Sequence, residues 1–445
     1  MYIQSLHLEN VKGFQEVKFD LVRPDGTYAG WTAFVGGNSA GKSTILRAIS
    51  LALIGPLAGD RLMGQAAGWI LKGETRASAN VILSWDKEHD EFKTGGKHPG
   101  DSFEAGVRWF FEKPTDTVPQ FRATEKRNAA GGRVITADRG PWSPNSGGWF
   151  SAGYGPMRRL AGSSSESMRF TLSKEADSRF VTLFREDAAL SESEVWLRWM
   201  HARNLESVTQ EYEPILTGVK ALLSDNLLPN GMRISRITVD GVFIQDGLNV
   251  ELPMRDISDG CRSIYATILD LIHGLHDVYG AEGLFETDAD GHSIVNRPGV
   301  VIIDEIEAHL HPAWQRDIPS WLKTHFPKIQ FLVSTHSPLI AQAADPNGLF
   351  ILPLQNDHDS TPRPATAVEY EKIRWGSAHK TILGVAFGLS NTRTHWAAQQ
   401  LTFWQEINAK KKSGVRLSEK EKIAFRKLDE QISLALDGAP SVEAL

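Results

Sequence analysis

Four short stretches of this chain hold residues whose types and spacing suit phosphate chemistry. In FVGGNSAGKSTIL, Gly36, Gly41, Lys42 and Ser43 satisfy the spacing G-x-x-x-x-G-K-[ST]. Glycines let the backbone approach an anion closely, and the N–H groups at the start of the following helix converge on it. Lys42 is expected to reach the β- and γ-phosphates of ATP. The Ser43 hydroxyl is expected on Mg²⁺, with Asn38 and Thr44 completing the ATP-contacting set. The competing explanation is a chance match in a Gly-rich loop. The apolar run Trp31–Val35 before it and the helical pattern Thr44–Leu53 after it argue against chance.

A phosphate loop needs a partner that holds metal and water. GVVIIDEIEAHLHP supplies one at 299–312: an apolar run that reads as a strand buried on both faces, then Asp304 and Glu305 at its end. Asp304 is expected as the Mg²⁺-side ligand, through water, and Glu305 as the general base that polarises the attacking water. IQFLVSTHSPLIA repeats the arrangement and ends in His336, placed to contact the γ-phosphate or the attacking water. DISDGCRSIYATILDLI puts Ser258 and Gly260 just before a helix, either as an ordinary N-cap or as a second phosphate clamp. His309 and His311 lie two apart but lack further ligands for zinc.

These residues must be positioned by alternating strands and helices. YIQSLHLENV and GFQEVKFDLV read as two strands joined near Lys12-Gly13. Short strands such as NVILSW and GVRWFFE follow, and another stops at the turn after Tyr154. Residues 174–226 and 262–277 carry helical spacing, 232–252 alternates as strands around VDGVF, and the tail 375–437 is helical. Ser418 with Glu421 forms a capping box for its last helix, and Gly438 is a natural stop.

The 445 residues, 41% hydrophobic and 23% charged, fit a globular chain of one large or several smaller domains. No apolar run reaches the roughly 18 residues of a membrane span, and the start of the chain lacks a signal-peptide core. The single cysteine, Cys261, fits a reducing cytoplasm and reads as a packing residue. A net charge of −6 argues against a polycation that coats nucleic acid.

In this order, the phosphate loop, S-D-G-x-R-S, apolar-D-E, H-L-H-P and S-T-H-S-P resemble the ABC-type ATPase heads of the RecF, SMC and OLD class. The resemblance covers the first fifty residues or so and 255–340, and LHLENVKGF is similar to the opening strand of RecF-type heads. It implies an α/β P-loop ATPase head with a mixed sheet, a compact strand and helix insert, and a C-terminal helical extension. Its division is an ATPase core at 1–55 and 232–350, an insert at 56–231, and a helical partner-docking region at 351–445. It implies that Ser258, Gly260 and Arg262 are a signature element acting in trans, that Glu307–Pro312 is the D-loop, and that His336 is the switch histidine. At least a dimer follows, because the signature of one subunit closes the site of the other. Two candidates for the Q-loop stay open: Gln120, and the turn with Tyr154, Arg158 and Arg159.

The chain departs from the long-armed members of that class, because its insert is no coiled coil. Asp357-His358-Asp359 reads as a loop and not as a Toprim metal site. A head with a compact insert and short helical tail resembles the ATPase subunits of anti-phage systems such as Septu and PARIS. That implies a sensor and scaffold that holds a separate effector nuclease. The alternative is a RecF-like repair ATPase that binds DNA directly, with Lys126-Arg127, Arg158-Arg159 and Lys410–Lys412 as basic candidates. A transporter subunit fits the H-L-H-P segment and the N-terminus less well.

Overall fold

A computed structural model describes residues 1–436 apart from 65, 94–98, 114, 125, 128–132, 135, 145, 160–166, 168–175, 208–209, 229–230, 354–360, 385 and 389–392. The loop expected at Asp357–Asp359 and the stop at Gly438 lie outside the described residues.

The central sheet runs in the order Arg363–Pro364, Leu349–Ile351, Gly30–Val35, Ile329–Thr335, Gly299–Ile303, Ser151–Tyr154. Its pairings are parallel except for the Arg363–Pro364 edge. Every residue of Gly299–Ile303 and Ile329–Thr335 is buried, as their apolar composition requires of strands covered on both faces. Register decides where the chemistry falls. Val333 pairs with both Ile303 and Ala33, and Thr335 pairs with Val35. The residues that follow, Gly36, Asp304-Glu305 and His336, therefore leave the sheet at one edge, the carboxyl ends of three adjacent strands.

A second, antiparallel sheet runs Phe14–Asp20, Tyr2–Val11, Arg76–Ser84, Ser102–Phe110, Gln120–Ala123. The two N-terminal strands meet at the Lys12-Gly13 turn as expected. Residues 76–123 lie in the expected insert; there Arg76–Ser84 pairs directly with Tyr2–Val11 and the next two strands extend the same sheet, because their alternate apolar residues share one core with it. The sheets are also joined by a buried side chain. Gln330 accepts from the Ile3 N–H at 2.7 Å and donates to the Ile3 carbonyl at 2.9 Å.

Between the sheets lies the helix Lys42–Met63, which runs ten residues beyond the expected Leu53. Gly55 has φ +82° and is followed by Pro56, so the helix kinks there. Pro56 cannot donate to the carbonyl of Ala52, and the Trp142 indole N–H takes that acceptor at 3.0 Å.

Helices Ser191–Glu206 and Glu213–Ser224 pack on the helix Asp259–Tyr279, with the small sheet Arg233–Thr238, Gly241–Gln245, Glu251–Pro253 beside them. The chain divides into compact units at Met1–Thr381 and Ile382–Leu445, so the first runs beyond the expected boundary at 350. In the second unit, helices His395–Lys412 and Glu419–Leu436 pair through stacked Trp404 and Phe425 rings, 6.0 Å apart. The Ser418–Glu421 capping box is present.

Candidate nucleotide site

The phosphate loop opens from the strand Gly30–Val35 into the helix beginning at Lys42. Gly41 stands at the N-cap position with φ +94°, and a Cβ there would lie 2.3 Å from the Phe14 ring. Both the left-handed backbone and the lack of space require glycine. No side chain caps this helix, so its first N–H groups remain available to an anion. Lys42 is buried, and its ammonium donates to the carbonyls of Gly36 (3.0 Å) and Gly37 (2.9 Å) and to His336 Nε2 (2.7 Å). Burial pushes its pKa down; Glu305, Asp304 and Glu307 pull it back up. Ser43 and Thr44 are half-buried on the first turn, and Asn38 is exposed on the loop.

Opposite stands the carboxylate turn. Asp304 is buried, and its backbone N–H bonds the Tyr154 carbonyl at 2.8 Å. The Ser334 hydroxyl donates to the Asp304 carboxylate and accepts from the Glu305 N–H at 2.8 Å, fixing the turn from the neighbouring strand. Glu305 has φ +46°, a conformation unusual for a non-glycine residue and common where function holds it. Among the described residues its carboxylate takes no hydrogen bond from a side chain.

His336 is held from below by Glu307, whose carboxylate accepts from the His336 N–H and, at 2.7 Å, from the Thr335 hydroxyl. Burial, then the Lys42 charge, lower the His336 pKa. Since Lys42 can only donate, His336 Nε2 accepts and the ring is neutral with its proton on Nδ1.

A family model described as "AAA domain, putative AbiEii toxin, Type IV TA system" matches residues 32–341, more than half of the chain. The chain belongs to this AAA family. Among relatives, the Septu protein PtuA of Bacillus mycoides (strain KBAB4) is 25% identical over 339 residues, covering 76% of this chain and 38% of that protein. The Retron Ec83 probable ATPase of Escherichia coli is 25% identical over 403 residues, covering 79% of this chain and 71% of that protein. This chain thus spans well under half of the Septu relative's length. An SMC head bound to the C-terminal winged-helix domain of ScpA is similar at a TM-score of 0.47 and 15% identity, over 83% of this chain and 99% of that one.

In this AAA domain the structure brings Lys42, Asp304, Glu305 and His336 to one place. Ser258, Gly260 and Arg262 stand together at the start of the helix Asp259–Tyr279. Ser258 is the N-cap residue of Asp259–Tyr279, but its hydroxyl donates to Cys261 Sγ at 3.0 Å instead of capping a backbone N–H. Burial raises the Cys261 thiol pKa, as suits an unreactive packing residue. Arg262 bonds Asp259 and, at 2.6 Å, the Arg255 carbonyl. A Cβ on Gly260 would sit 2.3 Å from the His309 carbonyl, so the element rests on the Glu307–Pro312 segment. His311 Nδ1 accepts from the Ala313 N–H at 3.2 Å and caps the next helix, a role at odds with zinc ligation.

Of the AAA domain's basic candidates, Arg158 is 5% exposed. Its guanidinium donates to the carbonyls of Gly155 and Asp304 (both 2.9 Å) and of Glu305 and Ile306 (both 3.2 Å). It positions the carboxylate turn and is not free for DNA. Burial pushes its pKa down to about 10, with Glu307, Asp304 and Glu305 pulling it back up. Lys410 pairs with Glu421 at 2.9 Å. Gln120 lies on the edge strand of the second sheet. The roles of Arg158, Ser334 and Glu307 were not legible in sequence, because each acts through backbone or through a residue distant in the chain.

Proposed function

We propose that this chain binds and hydrolyses ATP with Mg²⁺ and works as an oligomeric sensor and scaffold subunit of a bacterial anti-phage defence complex with a separate effector nuclease. The observation that carries the ATPase reading is the convergence of Lys42, His336 and the Asp304-Glu305 turn at the ends of adjacent parallel strands. Lys42 exchanges neutral carbonyl acceptors for the β- and γ-phosphates. Glu305 takes the proton of the attacking water, and His336 bonds the γ-phosphate side. The hard oxygen donors Ser43 and Asp304 suit Mg²⁺, which would neutralise charge on the phosphates. Ser258, Gly260 and Arg262 close the site of a second copy. The similarity to a Septu protein and to a retron ATPase supports the defence setting. The burial of Arg158 weakens the DNA-repair alternative.

The test is purification of the full chain from its native host with and without ATP, followed by native mass and identification of bound proteins. A nuclease in a defined oligomer whose amount depends on ATP is the expected result. A chain that co-purifies with DNA and no protein partner overturns the scaffold reading.

A further inference from the structure

Away from the phosphate site, three elements bring two imidazoles and a carboxylate together. Asp225 follows the helix Glu213–Ser224, His292 precedes the short strand Ser293–Ile294, and His325 ends the helix Pro312–His325. Asp225 Oδ2 lies 2.7 Å from His292 Nδ1 and 3.6 Å from His325 Nε2. All three donor atoms lie within 4.8 Å of one another.

The hydrogen bonding fixes what each atom offers. His325 is 2% exposed, and its Nδ1 lies 2.7 Å from the Ser293 carbonyl oxygen. A carbonyl only accepts, so Nδ1 carries the proton and Nε2 turns a lone pair toward the Asp225 carboxylate. That lone pair, the Asp225 carboxylate and the His292 ring nitrogen together present three donors to a single cation. A backbone carbonyl that orients an imidazole from behind is the usual support of a metal-bound histidine. The Trp321 ring packs on His325 at 4.2 Å, and its indole N–H bonds the Asp225 carbonyl at 2.6 Å, so two of the groups share one brace.

We propose that Asp225, His292 and His325 bind a divalent transition metal of the zinc type, with a fourth position open to the adjoining cavity. Two imidazole nitrogens and one carboxylate form a zinc-like donor set; magnesium and calcium prefer all-oxygen sites. The cavity, about 500 Å³, is also lined by Asn226, Ile264, Leu310, Trp314 and Asp317, so a water or an anionic ligand has room at the metal. Ile264 belongs to the helix that begins at the signature element, and Leu310 to the segment on which that element rests. The metal thus cross-links the ends of Glu213–Ser224 and Pro312–His325 and the start of Ser293–Ile294 beside that cavity, and this site stands independently of the ATPase reading.

The test uses the full chain, stripped with chelator and dialysed without nucleotide against Zn²⁺ or Co²⁺. About one equivalent of zinc retained, and a visible Co²⁺ spectrum of tetrahedral intensity, are expected. Asp225→Asn keeps the shape and removes the anionic donor; His292→Ala removes a half-exposed ring. Both should weaken metal binding by at least about tenfold. Their ATP binding should stay unchanged, which shows that they fold. No retained metal in the parent protein overturns the proposal. So does equal retention by both variants, which would put the metal at an exposed cluster such as His7, Glu9 and Glu16.

Discussion

Arg158 and Glu305 are hydrogen-bonded through the backbone and not side chain to side chain: the guanidinium donates to the Glu305 carbonyl at 3.2 Å. The carboxylate is thereby left for chemistry while its main chain is held at φ +46°. Arg158→Ala should orphan four carbonyl acceptors and destabilise the protein by on the order of 3 kcal/mol, read by urea unfolding. Arg158→Lys should recover part of that stability but little of the turnover, because one ammonium cannot span four acceptors. Unchanged ATP hydrolysis in Arg158→Lys would remove the residue from the positioning role.

Lys42→Ala should abolish ATP binding, measured by filter binding. Glu305→Gln should keep binding and lower phosphate release by at least about a hundredfold, trapping ATP on the protein. A Glu305→Gln protein that turns over normally would move the base elsewhere.

His336 should make hydrolysis sensitive to acid. Its folded pKa is lowered, so the neutral form persists at neutral pH and protonation begins only below the ordinary value of 6.5. Protonated His336 would face the Lys42 ammonium with no acceptor. The same sign holds for stability: the unfolded chain binds this proton more readily, so the contribution is present above 6.5 and is lost as pH falls through the folded pKa. The rate should stay level through pH 6.5 and drop below it, and His336→Gln should remove most of that acid limb. A limb that persists in the variant would assign it to another group.

Gly260→Ala should drive a methyl group into the His309 carbonyl, 2.3 Å from where its Cβ would stand. A loss of about 1–3 kcal/mol is expected by thermal unfolding, with any ATP-dependent oligomer weakened as well. Wild-type stability would show that the 307–312 segment yields freely.

The phosphate loop, the paired carboxylates and the strand-end histidine were legible because each is a local pattern next to an apolar run that can only be a buried strand. The antiparallel sheet was not. Residues 76–123 look like any short-strand insert until the pairing of Arg76–Ser84 with Tyr2–Val11 is seen, and pairing across seventy residues leaves no spacing signal. The long first helix was missed for the opposite reason: Gly55-Pro56 reads as a stop, and only the Trp142 indole shows how the chain passes it. Asp225, His292 and His325 stand too far apart in the chain for any spacing rule to link them.

The Gln330 amide clasps Ile3 across a separation of 327 residues, and the strand Gly30–Val35 finds its neighbour only at Ile329–Thr335. Contacts this distant set the order of events during synthesis. The glycine loop leaves the ribosome almost three hundred residues before the strand that completes its pocket. At about 5–20 residues per second, that interval is roughly 15–60 s. Throughout it the side of the first helix that packs on Ile329–Thr335 is uncovered, a period in which a nascent chain is open to chaperones and to mispairing. Nucleotide capture then waits until Ile329–Thr335 has paired with Gly30–Val35 and the pocket has closed.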